Sequence, residues 1–253
     1  MIPYSKAYIE FRDRSQEFLD FVILTCTAVP ALKATLLGND VSGIVPDHFK
    51  GTTNSPQLMA YANSYQVPLA SVSVITLFSY FEAYVIRVMR EIIEFHGGEK
   101  AFQATADKRA KRFLTITSTA MVASKKKLQE PAKAKNKGRY QKHSKILVDN
   151  GFQFPSELLA PFGVRNLIKK AKLNGSKAYE IPDLLKDALC FPLSSADHKR
   201  IETIRELRNE IAHGGVPTVP LKNAMAVGRD LRKIAVKVDQ HVVEHFFVLE
   251  AYA

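Results

Sequence analysis

An all-α fold is what this sequence predicts, and three observations predict it. Apolar residues recur at intervals of three and four along most of the chain. No stretch alternates apolar and polar side chains as a half-buried strand does. Ser, Pro and Gly stand where helices start and stop. Tyr8, Phe11, Phe18, Phe21, Val22 and Leu24 set out a first long helix that ends before Pro30. Gly38 to Pro68, rich in Gly, Pro, Asn and Ser, reads as an irregular connection. A second long helix is expected from about Ala70 to Phe95, stopped by His96-Gly97-Gly98, and a third from about Ala101 to Lys127. Pro131 to Gly151 is polar, basic and Gly-containing, the composition of a loop. Helices resume at Ser156 to Ala171 and Pro182 to Cys190. Ser194, with Asp197 three residues on, caps a helix carrying Ile201, Ile204, Leu207 and Ile211 that stops at His213-Gly214-Gly215. Pro220 opens a last long helix with Leu221, Met225, Leu231, Ile234, Val238, Val242 and Phe246 as its core stripe. The expectation is one helical domain over residues 1–253.

Composition narrows the classes of function. Charged residues make up 24% and hydrophobic ones 46%, a globular balance rather than that of a disordered chain. Cys26 and Cys190 lie far apart among apolar neighbours, so both are read as reduced core thiols in a reducing compartment. The opening residues run into the charged Glu10-Phe11-Arg12-Asp13-Arg14, where a secretory leader would keep its apolar stretch. The longest apolar runs are interrupted by Asp20 and Pro30, or by Pro68 and serines, short of a membrane span. The expected protein is cytoplasmic, with no membrane partner.

The net charge of +11 is local. Fourteen Lys and Arg lie between Lys100 and Lys145 against Asp107 and Glu130 alone, leaving the rest of the chain near neutrality. Such a block suits a polyanion, because each neutralised phosphate releases condensed counterions. Lys125, Lys126 and Lys127 are its densest part and are taken as RNA-binding residues. The plainer reading is a solvated insertion at about 100–150 whose charges keep it soluble.

The run Arg205-Glu206-Leu207-Arg208-Asn209-Glu210-Ile211-Ala212-His213-Gly214-Gly215 joins a guanidinium, an amide and an imidazole near one helix end. With thirteen Arg and seven His in the chain, an Arg-to-His spacing alone says little, and Arg90 with His96 satisfies it too. Context separates them. Arg208 is followed by Asn209, and His213 closes a helix just before the final long one. An aromatic-acidic segment, Phe78-Ser79-Tyr80-Phe81-Glu82-Ala83-Tyr84, lies in an earlier helix.

These two segments resemble the HEPN superfamily: the first its Arg-Asn-to-His signature, the second the early helix of the RiboL-PSP branch. The resemblance implies an HEPN-like helical bundle; the basic region at about 100–150 has no counterpart in it and is read as an insertion or branch-specific element. It implies a homodimer, and a metal-independent endoribonuclease with Arg208 and His213 catalytic and Asn209 and Glu82 supporting. It also implies a toxin or phage-defence role, with an antitoxin or neighbouring defence protein as partner. No metal or cofactor is expected.

The residues suit that chemistry on their own terms. Cleaving RNA without a metal requires a proton taken from a 2′-hydroxyl, a proton given to the departing 5′-oxygen, and charge stabilisation on a phosphorane. Histidine ordinarily titrates near neutrality and arginine keeps a planar charged fork for two phosphate oxygens. One difficulty is geometric: five helical steps leave two side chains about 140° apart. Either the His at the helix end is freed by its glycines, or a dimer shares the site. Plainer readings stand beside these. His213 and Gly214 can be mere capping, Arg208 can pair with Glu82 as a structural ion pair, and Phe78, Phe81 and Tyr84 are core. His241 and His245 have a metal-compatible spacing without a third ligand. The rival function is a catalytically inactive HEPN domain that binds nucleic acid or a partner protein.

Overall fold

A computed structural model describes residues 3–38, 55–112, 118–129, 134–152, 154–158, 160–172, 178–215 and 218–249. The helices are α1 (Lys6–Leu37), α2 (Ser55–Ser64), α3 (Gln66–Phe95), α4 (Glu99–Arg112), α5 (Thr119–Leu128), α6 (Lys137–Asp149), the short α7 (Pro155–Leu158), α8 (Ala160–Ala171), α9 (Ile181–Asp183), α10 (Ser195–Ala212) and α11 (Leu221–His245). The described residues contain no strand, so the all-α expectation holds. They form two compact units, Met1–Glu91 with Asn174–Phe246, and Ile92–Leu173 with Phe247–Ala253.

The first unit is built around α3. Val74, Leu77, Phe78, Phe81, Tyr84, Val85 and Val88 are fully or almost fully buried, as expected of the aromatic segment. Phe81 and Tyr84 pack against Tyr8 and Phe11 of α1, with ring centroids 5.6–6.2 Å apart. From α11 come Leu231, Ile234, Ala235, Val238 and Val242. A Cβ at Gly228 would stand 3.0 Å from Leu77, so glycine lets α11 approach α3 closely. α10 lies antiparallel to α11: Asp197 near its start meets Lys237 (2.9 Å), and Arg200, a turn later, meets Asp230 (2.7 Å).

The first turn of α1 is sealed from two distant helices. The main-chain N–H groups of a helix start have no intrahelical acceptor. Here Tyr8 donates to the Ser5 hydroxyl (3.0 Å), while Lys6 and Ala7 both donate to the Glu91 carboxylate (2.9 Å each). Ser5 itself donates to Asp239 through its N–H (3.1 Å) and through its hydroxyl. Asp239 is completely buried. Burial raises its carboxyl above the ordinary aspartate range, opposed first by the hydrogen bonds from Ser5.

Several boundaries differ from the sequence reading. α1 continues through Pro30 to Leu37, and α3 begins at Gln66, with Pro68 in a first turn where no main-chain donor is needed. Both helices therefore reach the length and apolarity of a membrane span, which the interrupted runs did not suggest. Half of the apolar window in α3 is buried, as in a core helix, against 11% in α1. Phe21 and Leu24, expected to build the first helix, are exposed, as is Leu37. The expected connection at Gly38 to Pro68 contains α2, and its residues 39–54 lie outside the described residues. Cys26 is half-buried and Cys190 is exposed with φ 49°, so neither is the core thiol expected from its apolar neighbours.

The second unit carries the basic stretch, and the segment with the composition of a loop is largely helical. The third helix divides into α4 and α5, with residues 113–117 outside the description, and α6 occupies most of the expected loop. α5 packs on α6 and α4 on α8. Met121, Ser124 and Leu147 are buried in the α5–α6 pair, where His143 meets the Ser124 hydroxyl (3.2 Å). Lys125, Lys126 and Lys127 form the last turn of α5, where positive charge suits the helix dipole. Lys126 is exposed, and the Lys125 ammonium lies 5.9 Å from the centre of the Phe152 ring.

Candidate functional site

α10 positions three of the four residues read as catalytic or supporting. Its start is fixed as expected: the Ser194 hydroxyl accepts from the Asp197 N–H (3.0 Å). Ile201 and Ile204 then anchor one face in the core. One turn past Ile204, Arg208 is held partly inside. Its Nη1 donates to the Asn209 side-chain oxygen (3.1 Å), and its Nη2 lies 3.9 Å from Glu82 on α3. The Arg208 Nε is buried and has no hydrogen-bond partner. Burial raises the Glu82 carboxyl above the ordinary range, and the Arg208 charge works against that rise. The structure thus brings Arg208, Asn209 and Glu82 together. At 3.9 Å the ion pair is loose, so the guanidinium keeps donors for another acceptor.

His213 is the C-cap, and its side chain is exposed. The helix is ended by main-chain bonds: Gly214 donates to the Ile211 carbonyl (3.2 Å) and Gly215 to the Glu210 carbonyl (2.9 Å). Gly214 has φ 84°, and a Cβ at Gly215 would come within 2.8 Å of the Glu210 carbonyl oxygen, so each position needs glycine. Because α10 stays helical to Ala212, the Arg208 and His213 directions differ by about 140° on one helix.

The rival pair ends its helix in the same way. Gly97 donates to Glu94 (3.0 Å), Gly98 to Ile93 (2.9 Å), and Gly97 also has φ 84°. The side chains separate the two ends. The His96 ring is stacked on Phe102 (4.3 Å, 8°) and edge-on to Phe95, whereas His213 faces solvent. We expect His96→Ala to leave any RNA cleavage within a few-fold of wild type while costing about 1 kcal/mol of stability. Loss of cleavage in this variant, with activity kept in His213→Ala, would exchange the roles of the two histidines.

Sequence reasoning passed over Arg205. Arg205, Asn209 and His213 are spaced by four and lie on one ridge of α10. The Arg205 Nε is also buried without a partner, while its Nη2 pairs with Glu202 (2.6 Å). The signal was present as a second Arg one turn before Arg208. His241 donates to the Leu189 carbonyl (2.9 Å) and packs on Phe191, a structural setting for one of the two histidines with metal-compatible spacing. No group of three or more metal-ligating side chains occurs among the described residues.

A family model described as RiboL-PSP-HEPN matches residues 47–242, well over half of the chain and including Glu82, Arg208, Asn209 and His213. Nothing among curated proteins or solved structures matches the chain.

Proposed function

The chain belongs to the RiboL-PSP-HEPN family, and from that premise we propose that it is a metal-independent endoribonuclease. The observation that carries the reading is the contrast between two like helix ends: one histidine is packed, while His213 is left open five residues beyond an arginine with an unpaired buried Nε. The RNA 2′-oxygen attacks phosphorus as its proton passes to an imidazole. The bond to the 5′-oxygen breaks as a protonated imidazole supplies the proton that oxygen needs. Arg208 binds the charged phosphorane oxygens. The products are a 2′,3′-cyclic phosphate and a 5′-hydroxyl.

Two histidine roles and the 140° divergence favour a homodimer in which two copies each of Arg208 and His213 line one groove. Asn209 and Glu82 orient Arg208 in this scheme. The biological setting we infer is a cytoplasmic toxin or phage-defence effector restrained by an antitoxin or neighbouring defence protein. The same divergence favours the second reading, an inactive HEPN domain that binds nucleic acid or a partner. Total RNA incubated with purified protein in excess chelator separates the two. Cyclic phosphate ends are expected from the enzyme, and intact RNA would leave only the binding domain.

The basic stretch supplies sequence-independent affinity in this scheme. Replacing Lys125, Lys126 and Lys127 with Ala is expected to weaken RNA binding and to reduce the salt slope by about 2, at about 0.7 per single-strand phosphate contact. Single-turnover cleavage at saturating protein should be largely kept. Unchanged affinity would return these lysines to solvation and helix capping.

A further inference from the structure

A second cationic surface lies on α11. Counted along the chain, the residues outside Lys100 to Lys145 are close to neutral. Folding separates those charges. Between Leu221 and Lys237, Lys222, Arg229, Arg232, Lys233 and Lys237 face one acidic residue, Asp230, and all five cations are exposed. Arg229, Lys233 and Lys237 recur every four residues along one face, a rise of about 6 Å per step. That step is close to the phosphate spacing of an extended nucleic-acid strand.

The same face borders a groove of about 400 Å³ between α10 and α11. Asp197 and Asp230 line it, but each is matched, by Lys237 (2.9 Å) and Arg200 (2.7 Å). Lys233, also lining the groove, has no ion-pair partner among the described residues, and neither do Arg229 and Arg232. The groove therefore carries net positive charge over an apolar floor of Ile234 and Val236. Asp197 and Arg208 are eleven residues apart, within 20° of three full turns, so the groove lies on the Arg208 side of α10, about 16 Å along it.

We infer that the α10–α11 groove binds the sugar–phosphate backbone of single-stranded RNA, with Arg229 and Lys233 on successive phosphates and Lys237 held by Asp197 at the far end, a few nucleotides from the bond held at Arg208. The inference rests on the reading of RNA as substrate, and it names where the strand lies. The cations follow the backbone without reading bases, and the apolar floor takes ribose.

The test uses the full-length His213→Ala chain, which permits binding to be measured on uncut RNA, and a fluorescent oligouridylate titrated across salt. Arg229→Gln with Lys233→Gln is expected to weaken binding about tenfold at physiological salt and to reduce the salt slope by about 1.4. Lys233→Arg should restore most of that residue's share. Unchanged affinity and slope in the folded double variant would overturn the assignment. So would capture of polyglutamate through these residues without oligouridylate binding, which would make the groove a surface for an acidic protein. Wild-type cleavage in chelator is measured alongside. Cleavage with a silent groove variant removes only this inference, whereas groove-dependent binding without cleavage keeps it and removes the enzyme.

Discussion

His213→Ala is expected to lower RNA cleavage in excess chelator by about 10²–10⁴-fold, the range a positioned proton-transfer group supplies. The fold should be unaffected. The His213 side chain is exposed, and the bonds that close α10 are main-chain bonds that alanine keeps. Helical circular dichroism should overlay that of wild type, so lost activity would report chemistry rather than unfolding. Arg208→Ala should lose activity comparably, through the phosphorane rather than through proton transfer. Mixing the two inactive chains under conditions of subunit exchange should return part of the activity if one Arg and one His from different copies suffice. Cleavage that requires a divalent metal, or that persists in His213→Ala, would end the assignment. A monomer with full activity would end the shared groove alone.

The largest effect on stability is expected at Asp239. Asp239→Ala removes the acceptor for the Ser5 N–H and hydroxyl in a site closed to water. A buried donor without an acceptor costs about 1–3 kcal/mol, and two are released here. A loss of about 2–4 kcal/mol in chemical denaturation is therefore expected. The pH dependence has a definite sign. Because burial raises the folded carboxyl above its unfolded value, its stabilising contribution is full below the ordinary aspartate range. It is then lost as pH rises through the raised value. Glu91 nearby adds to the rise, while bonds from Ser5 and Tyr84 oppose it. Asp239→Asn, which cannot ionise, should flatten that part of the stability profile. A denaturation midpoint unchanged in Asp239→Ala would show that the clamp on α1 contributes nothing.

What was legible in the sequence was local. Ser194 with Asp197 gave the start of α10, and His213-Gly214-Gly215 gave its end, because caps act within one turn. The same locality let His96-Gly97-Gly98 imitate it, and in the structure the packing of His96 on Phe102 and Phe95 tells the two ends apart. The pairing of Arg208 with Glu82 was foreseen as one alternative, whereas the bond from Ser5 to Asp239 spans 234 positions and has no local signal. Proline misled: α1 runs through Pro30, and at Pro68 it falls where a helix start tolerates it. Charge counted along the chain also hid the α11 surface, since a sum over residues does not record which helix face they share.

The clamp on α1 has a consequence for the order in which the molecule is made. As the chain leaves the ribosome, Ser5 emerges long before either of its helix's distant acceptors. Glu91 arrives first and can take the Lys6 and Ala7 donors once α3 is complete. Asp239 arrives only when α11 is almost finished. Until then the nascent α1 has a start closed by one carboxylate rather than two, and its exposed apolar turns at Phe21 to Leu24 are already outside. The second carboxylate of the clamp therefore reaches Ser5 only with the last helix, however early the first helix takes shape.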